Sequence, residues 1–146
     1  MPSAESLLGT TLRGSKTLVA NFFGQGGKGI RITARGYAAT LNGDVYITLG
    51  GTTVWTAPAV ADTTVEWEID AIITCYTTGA MGTVRPAVVF TTFTNAGVLA
   101  RYSDGSYGNR DSDVVINTTG TLAIDVGITT ASLDAYCTHF FWEAID

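Results

Sequence analysis

Apolar and polar residues alternate along most of this chain, with the period of two that marks a strand buried on one face. Residues 63–77 give the clearest case. Val65, Trp67, Ile69, Ala71, Ile73 and Cys75 share one parity, and Glu66, Glu68 and Asp70 share the other. Residues 29–39 set Ile30, Ile32 and Ala34 against Arg31, Thr33 and Arg35, an apolar face backed by a cationic one. In residues 44–49 the apolar face is Val45, Ile47 and Leu49. Further strand-like runs occupy 16–23, 53–56, 83–93, 113–117, 121–128 and 133–143. Turns separate them: Gly24-Gln25-Gly26-Gly27, Asn42-Gly43-Asp44, Gly50-Gly51 and residues 79–82. Pro86 cannot donate to a ladder and predicts an edge or a bulge within its strand. Residues 95–113 read as a long polar loop. No segment combines a helical period with caps.

This pattern predicts an all-β fold: an antiparallel, jelly-roll-like β-sandwich of about eight strands. Residues 1–15 would be an N-terminal arm or first strand, and 16–146 a single domain. Ile32, Ile47, Trp67, Ile69, Ile73, Leu122 and Ile124 are expected to line its core.

Two segments break the alternation. Ile72–Tyr76 and Tyr136–Trp142 carry apolar side chains at both parities. A loop, the N-terminal segment or another subunit is needed to cover such a second face. The expected interface residues are Ile72, Tyr76, Tyr136, Phe140, Phe141 and Trp142. Composition sharpens this expectation: hydrophobic residues make up 46% and charged residues only 14%, against about 25% charged in an average soluble domain. The 24 Thr and 17 Gly supply a neutral surface, so the missing charge fits either a Thr-rich exterior or burial between copies of the chain.

Charge removes other classes. The formal net charge is −5 and the only lysines are Lys16 and Lys28. No basic patch is available to displace counterions from phosphate, so nucleic acid is not an expected partner. The apolar runs, such as 71–73 and 87–90, are far short of a membrane span. Residues 1–8 lack a basic segment followed by an apolar stretch, so no secretory signal is read there. Synthesis in a cytoplasm, with Cys75 and Cys137 reduced, is the matching expectation.

Candidate chemistry is sparse. Gly24-Gln25-Gly26-Gly27-Lys28-Gly29 lacks the Ser or Thr and the helix of a phosphate loop, and reads as a turn. Asn109, Asp111 and Asp113, with Asp104 upstream, alternate like part of a calcium loop. They lack its central Gly and closing Glu, so a solvated loop is favoured. His139, the only histidine, would share a strand face with Cys137 about 7 Å away by strand rise, but no acid stands by to orient it. One histidine and two distant cysteines do not make a structural zinc site. Glu66, Glu68 and Asp70 lie on one face as paired glycosidase carboxylates would; an acidic solvated face is the favoured reading. Asn117-Thr118-Thr119 reads as a turn. No catalytic, metal or cofactor residues are assigned, and an enzyme is not expected.

A resemblance adds to this. Gly29-Ile30-Arg31-Ile32-Thr33-Ala34-Arg35-Gly36 is followed by Leu49-Gly50-Gly51-Thr52. Then come Trp67-Glu68-Ile69-Asp70-Ala71-Ile72-Ile73-Thr74-Cys75 and Thr78-Gly79-Ala80-Met81-Gly82-Thr83. In that order, over residues 7–143, they resemble small tailed-bacteriophage virion proteins of the head decoration, head fibre and minor tail types. The aromatic end His139-Phe140-Phe141-Trp142 departs from the more polar finish of that group. The resemblance implies a β-sandwich assembling on a phage particle, often as a trimer, with no catalytic residues. The implied partners are further copies of the chain and the major capsid protein or other virion proteins. The implied location is the virion, after synthesis in the host cytoplasm. A capsid decoration (cement) or head fibre protein acting by protein–protein contacts is the leading expectation. The alternative is a receptor- or carbohydrate-binding tail module, with Tyr102 and Tyr107 in the 95–113 loop as ligand contacts.

Overall fold

A computed structural model of the chain describes residues 5–6, 14–38, 43–57, 64–94, 97–103, 113–130 and 135–146, with side chains over 16–37, 45–57, 66–93, 113–127 and 137–146. The strands are β1 (Glu5–Ser6), β2 (Gly14–Leu18), β3 (Gly29–Ala38), β4 (Gly43–Leu49), β5 (Thr52–Thr56) and β6 (Thr64–Thr77). They continue with β7 (Gly82–Thr94), β8 (Gly97–Ser103), β9 (Val114–Ile116), β10 (Leu122–Thr130) and β11 (Ala135–Ile145). All pairings are antiparallel.

Two sheets result. The larger runs β1-β11-β3-β6-β7-β8, with β9 also on β7, and the smaller runs β2-β10-β4-β5. The chain crosses between sheets as it advances, so that β11 lies between β1 and β3, and β10 between β2 and β4. Eight of the strands, β1 to β6 with β10 and β11, thus have the order of a jelly roll, the double-sheet arrangement of two Greek keys. The expected sandwich is present, and β7, β8 and β9 widen its larger sheet beyond β6.

The alternation read along the chain is what closes the core. Ile30, Ile32, Ala34, Trp67, Ile69, Ala71 and Ile73 of the larger sheet meet Val45, Ile47, Leu49, Ile124 and Val126 of the smaller one, all buried. All of the residues expected in the core are there. Trp55 of β5 meets Phe90 of β7 edge-on across the sandwich, ring centroids 6.0 Å apart. Trp67 is 1% exposed, and its indole Nε1 has no hydrogen-bond partner among the described residues.

Three local departures from the expected strands matter. Residues 19–23 do not continue β2; Asn21 takes a left-handed φ of 57°, a conformation Asn tolerates better than most residues. The turn drives Phe23 into the core, with Phe22 packed against it at a ring distance of 5.0 Å. Residues 97–103, read as loop, form β8 along β7. Pro86 lies between the end of the β9 pairing at Val84 and the start of the β8 pairing at Val89. There the far side of β7 is an edge among the described residues, as a missing N–H requires.

One end of the sandwich is stitched by its loops. Asn21 N–H donates to Thr119 O (3.2 Å) and Thr118 N–H to Gly79 O (3.0 Å), while Gly79 N–H donates to Thr118 Oγ1 (2.8 Å). Gly82 sits inside this clasp: a Cβ there would lie 2.7 Å from Thr77 O and 2.6 Å from Thr118 Cγ2. The glycine-rich turn at 24–29 lies along the end of β6, Gly27 N–H bonding Cys75 O and Cys75 N–H bonding Lys28 O, both at 2.8 Å. Lys28 points to Asp146, 3.6 Å away. A strand, β3, follows it, so the turn reading holds.

Candidate functional site

Opposite the core, the larger sheet turns a second face to solvent. Its rows follow from register. Tyr37, Glu66 and Phe93 stand side by side on β3, β6 and β7. The next row is His139, Arg35, Glu68 and Thr91, and then Phe141, Thr33, Asp70 and Val89. Glu143, Arg31, Ile72 and Ala87 follow. Tyr76 and Arg85 close the face near the clasp, the guanidinium 4.5 Å from the ring centroid. Such a stack is a favourable cation–π contact.

The cationic parity of β3 and the acidic parity of β6 meet here. Arg31 donates through Nε to Asp70 Oδ1 (3.0 Å) and through Nη2 to Oδ2 (2.8 Å), with Glu143 3.8 Å from Nη1. Arg35 donates to Glu68 Oε1 at 3.2 Å, and Arg85 donates twice to Asp113 Oδ1, at 2.9 and 2.7 Å. The hydrogen bond from Arg31 holds the Asp70 carboxyl below its ordinary range, more strongly than partial burial lifts it, and the guanidinium charge adds to the lowering. Two of the three β6 carboxylates are therefore committed to arginines; Glu66 has no ion pair among the described residues. That separates the trio from a glycosidase pair, whose carboxyls must both be available to substrate.

Between these pairs lie exposed apolar side chains: Ile72, Tyr76, Tyr37 and Phe141, the last 50% exposed. Of the six expected interface residues, the structure brings Ile72, Tyr76 and Phe141 to this one face. Phe140 and Trp142 do not belong to it. They pair with Ala34 and Ile32, both buried, and pack half-buried against the core, with Trp142 edge-on to Phe22 at 6.0 Å. The backbone of Tyr136 pairs with Tyr37; its side chain lies outside the described residues. Tyr102 falls in strand β8 opposite Phe90 and not in a loop, and Tyr107 lies outside the described residues.

A bulge swaps the two faces of β11 between its first and last residues. Register shifts between Cys137 and His139, leaving Thr138 as the extra residue. Cys137 is buried opposite Gly36, whereas His139 is exposed opposite Arg35. The two do not share a face, which removes the expected juxtaposition. A second bulge, at Tyr76, follows Cys75 on β6. At both, the cysteine thiol donates to the carbonyl two residues on: Cys75 Sγ to Thr77 O and Cys137 Sγ to His139 O, each 3.3 Å. Burial pushes the Cys75 thiol up. Neither cysteine is in a disulfide. Of the calcium-like set, Asp113 is bound to Arg85, and Asp104, Asn109 and Asp111 lie outside the described residues. No cluster of three metal-ligating side chains occurs among the described residues.

At the Glu66 end this face is indented. A groove of about 400 Å³ is lined by Arg35, Gly36, Tyr37, Glu66, Trp67, Glu68, Phe93 and Thr138. Since Trp67 and Gly36 turn inward with the core parity, they contribute backbone. The Thr138 bulge forms the wall, its hydroxyl donating to Arg35 O at 3.3 Å. Sequence reasoning missed Tyr37 and Phe93. Neither stands out in its strand, and only register sets them on either side of Glu66. No helix among the described residues is long and apolar enough to cross a membrane. No family model, no curated protein and no solved structure matches the chain.

Proposed function

We propose that this chain is a virion structural protein of a tailed bacteriophage, a capsid decoration (cement) or head fibre protein that acts through protein–protein contacts and assembles as a homotrimer. The observation that carries the contact role is the outer face of the larger sheet. Exposed Ile72, Tyr76 and Phe141 lie there among mutually satisfied ion pairs. Aromatic and aliphatic side chains gathered on one face mark contact surfaces more often than bare exterior. Around these side chains the pre-formed pairs let the surface be covered without stranding a charge. The jelly roll is used by capsid and lectin domains alike, so the fold alone does not choose a role. The phage setting and the number three rest on the motif resemblance.

The test is a pair of particle preparations imaged with the encoding gene intact and deleted. Loss of a three-fold feature from the capsid surface is expected. Particles unchanged by the deletion would refute the reading.

A further inference from the structure

We infer that assembly through the outer face is governed by pH, with protonation of His139 driving the copies apart. The inference rests on the assembly reading above and names the regulation of the same surface.

Register sets His139 beside the apolar contact residues. It stands two residues before Phe141 on the same side of β11, about 7 Å away by strand rise. Arg35 of β3 is directly opposite, and the row continues to Glu68 and Thr91. A copy that covers Phe141 therefore lies over His139 too. The imidazole is exposed and has no ion pair among the described residues.

The surrounding charges decide the sign. On β3 the neighbours are Arg35, with Thr33 and Tyr37 on either side of it along that face. On β6, Glu68 is bonded to Arg35 at 3.2 Å, and Asp70 is gripped by Arg31. Further along β11, Glu143 lies against Arg31 as well. On the other side of β11, described β1 reaches only Cys137 and Tyr136, through Glu5 and Ser6. The nearest charge on the face is thus a cation, and the carboxylates beyond it are engaged. An imidazolium covered here would be buried beside a guanidinium with no carboxylate of its own, which is costly. A neutral imidazole avoids that cost and keeps both a donor and an acceptor. Assembled copies therefore favour neutral His139, free copies take up the proton more readily, and falling pH pulls the equilibrium toward free copies.

Little else on the face changes charge in the same window. Histidine is the side chain that ordinarily does so between about pH 5 and 8, and His139 is the only one in the chain. Carboxylates ordinarily titrate near about pH 4, and Asp70 is held lower still, so the ion pairs outlast the change at His139. Glu66, without an ion pair among the described residues, acts in the opposite sense: a covered lone carboxylate gains a proton on assembly.

The test is light scattering of the whole chain at about pH 8 and about pH 5, at one ionic strength, with circular dichroism at each pH. The wild type should be a trimer at the higher pH. At the lower pH its half-assembly concentration should rise roughly tenfold or more, with the β spectrum unchanged. His139→Gln, neutral throughout, should stay assembled at both. His139→Arg, charged throughout, should assemble poorly at both, and Glu66→Gln should not relieve the acid loss. A wild type equally assembled at the two pH values, or an acid loss that His139→Gln does not remove, overturns the proposal and leaves the trimer standing. A wild-type monomer at the higher pH defeats the trimer, and this proposal with it.

Discussion

Arg31 reaches diagonally across the β3–β6 pair to grip Asp70 with two parallel hydrogen bonds, of 3.0 and 2.8 Å. The contact lowers the Asp70 pKa, so the folded state favours the ionised carboxylate. Its contribution is present above the ordinary aspartate value of about 3.9 and fades as pH falls through the lowered value. Both side chains stand in solvent, so the effect is small and salt-sensitive. Asp70→Asn should melt slightly below wild type at pH 7. The gap should close as the pH drops through the acid range. A gap that persists at pH 2 would assign it to packing and not to charge.

Trp67→Ala should cost about 3–5 kcal/mol, the range for emptying a large buried side chain. Trp67→Phe should cost far less. It keeps much of the ring and also removes an indole N–H that is buried without a partner among the described residues, a penalty of about 1–3 kcal/mol in such sites. Chemical denaturation of the two variants beside wild type checks the order.

Gly82→Ala should destabilise by about 1–3 kcal/mol, as overpacking does. The new methyl would press on the Thr77 carbonyl and on Thr118, which ties the β6–β7 turn to the 117–120 loop. Amide exchange should quicken first at Gly79 and Thr118.

Both thiols should titrate after denaturation without reductant, and Cys75 should react slowly in the native protein at neutral pH. Its thiol is buried, occupied by Thr77 O and raised in pKa. Rapid native labelling at Cys75 would contradict its placement at the bulge.

Light scattering should find the wild-type chain at three times its 15.3 kDa mass. Ile72→Asp or Phe141→Asp should release single chains while the β circular dichroism stays unchanged. A wild-type monomer would defeat the trimer.

How far these features were legible depends on how local they are. The parity of β3 and β6 was plain, because each strand writes its own alternation: Ile30, Ile32 and Ala34 on one side, Arg31 and Arg35 on the other. That the arginines meet the acids was not. Arg31 and Asp70 lie 39 residues apart, and no local pattern carries a pairing over that distance. The Thr138 bulge was hidden as well. It shifts the frame by one residue, so that Phe140 and Trp142 take the core side that Cys137 holds before it, and Phe141 the outer side. Strand β8 was lost because the polar residues after Ser103 masked Val98 and Leu99. The groove had only Glu66 and Glu68 as a visible trace.

The strand order also dictates when the protein can fold. Each sheet has one of the last two strands, β10 or β11, between its early members. A nascent chain stopped short of Leu122 therefore lacks the middle of both layers and not an edge. Until those strands emerge from the ribosome, β3 and β4 each hold an open hydrogen-bonding side and an uncovered apolar face. Such exposure invites intermolecular pairing. Pairings this distant in sequence also form slowly. With only 14% charged residues, the chain has little to repel neighbours in that interval. Synthesis rate and temperature should thus govern the yield of soluble protein more than the stability of the finished sandwich does.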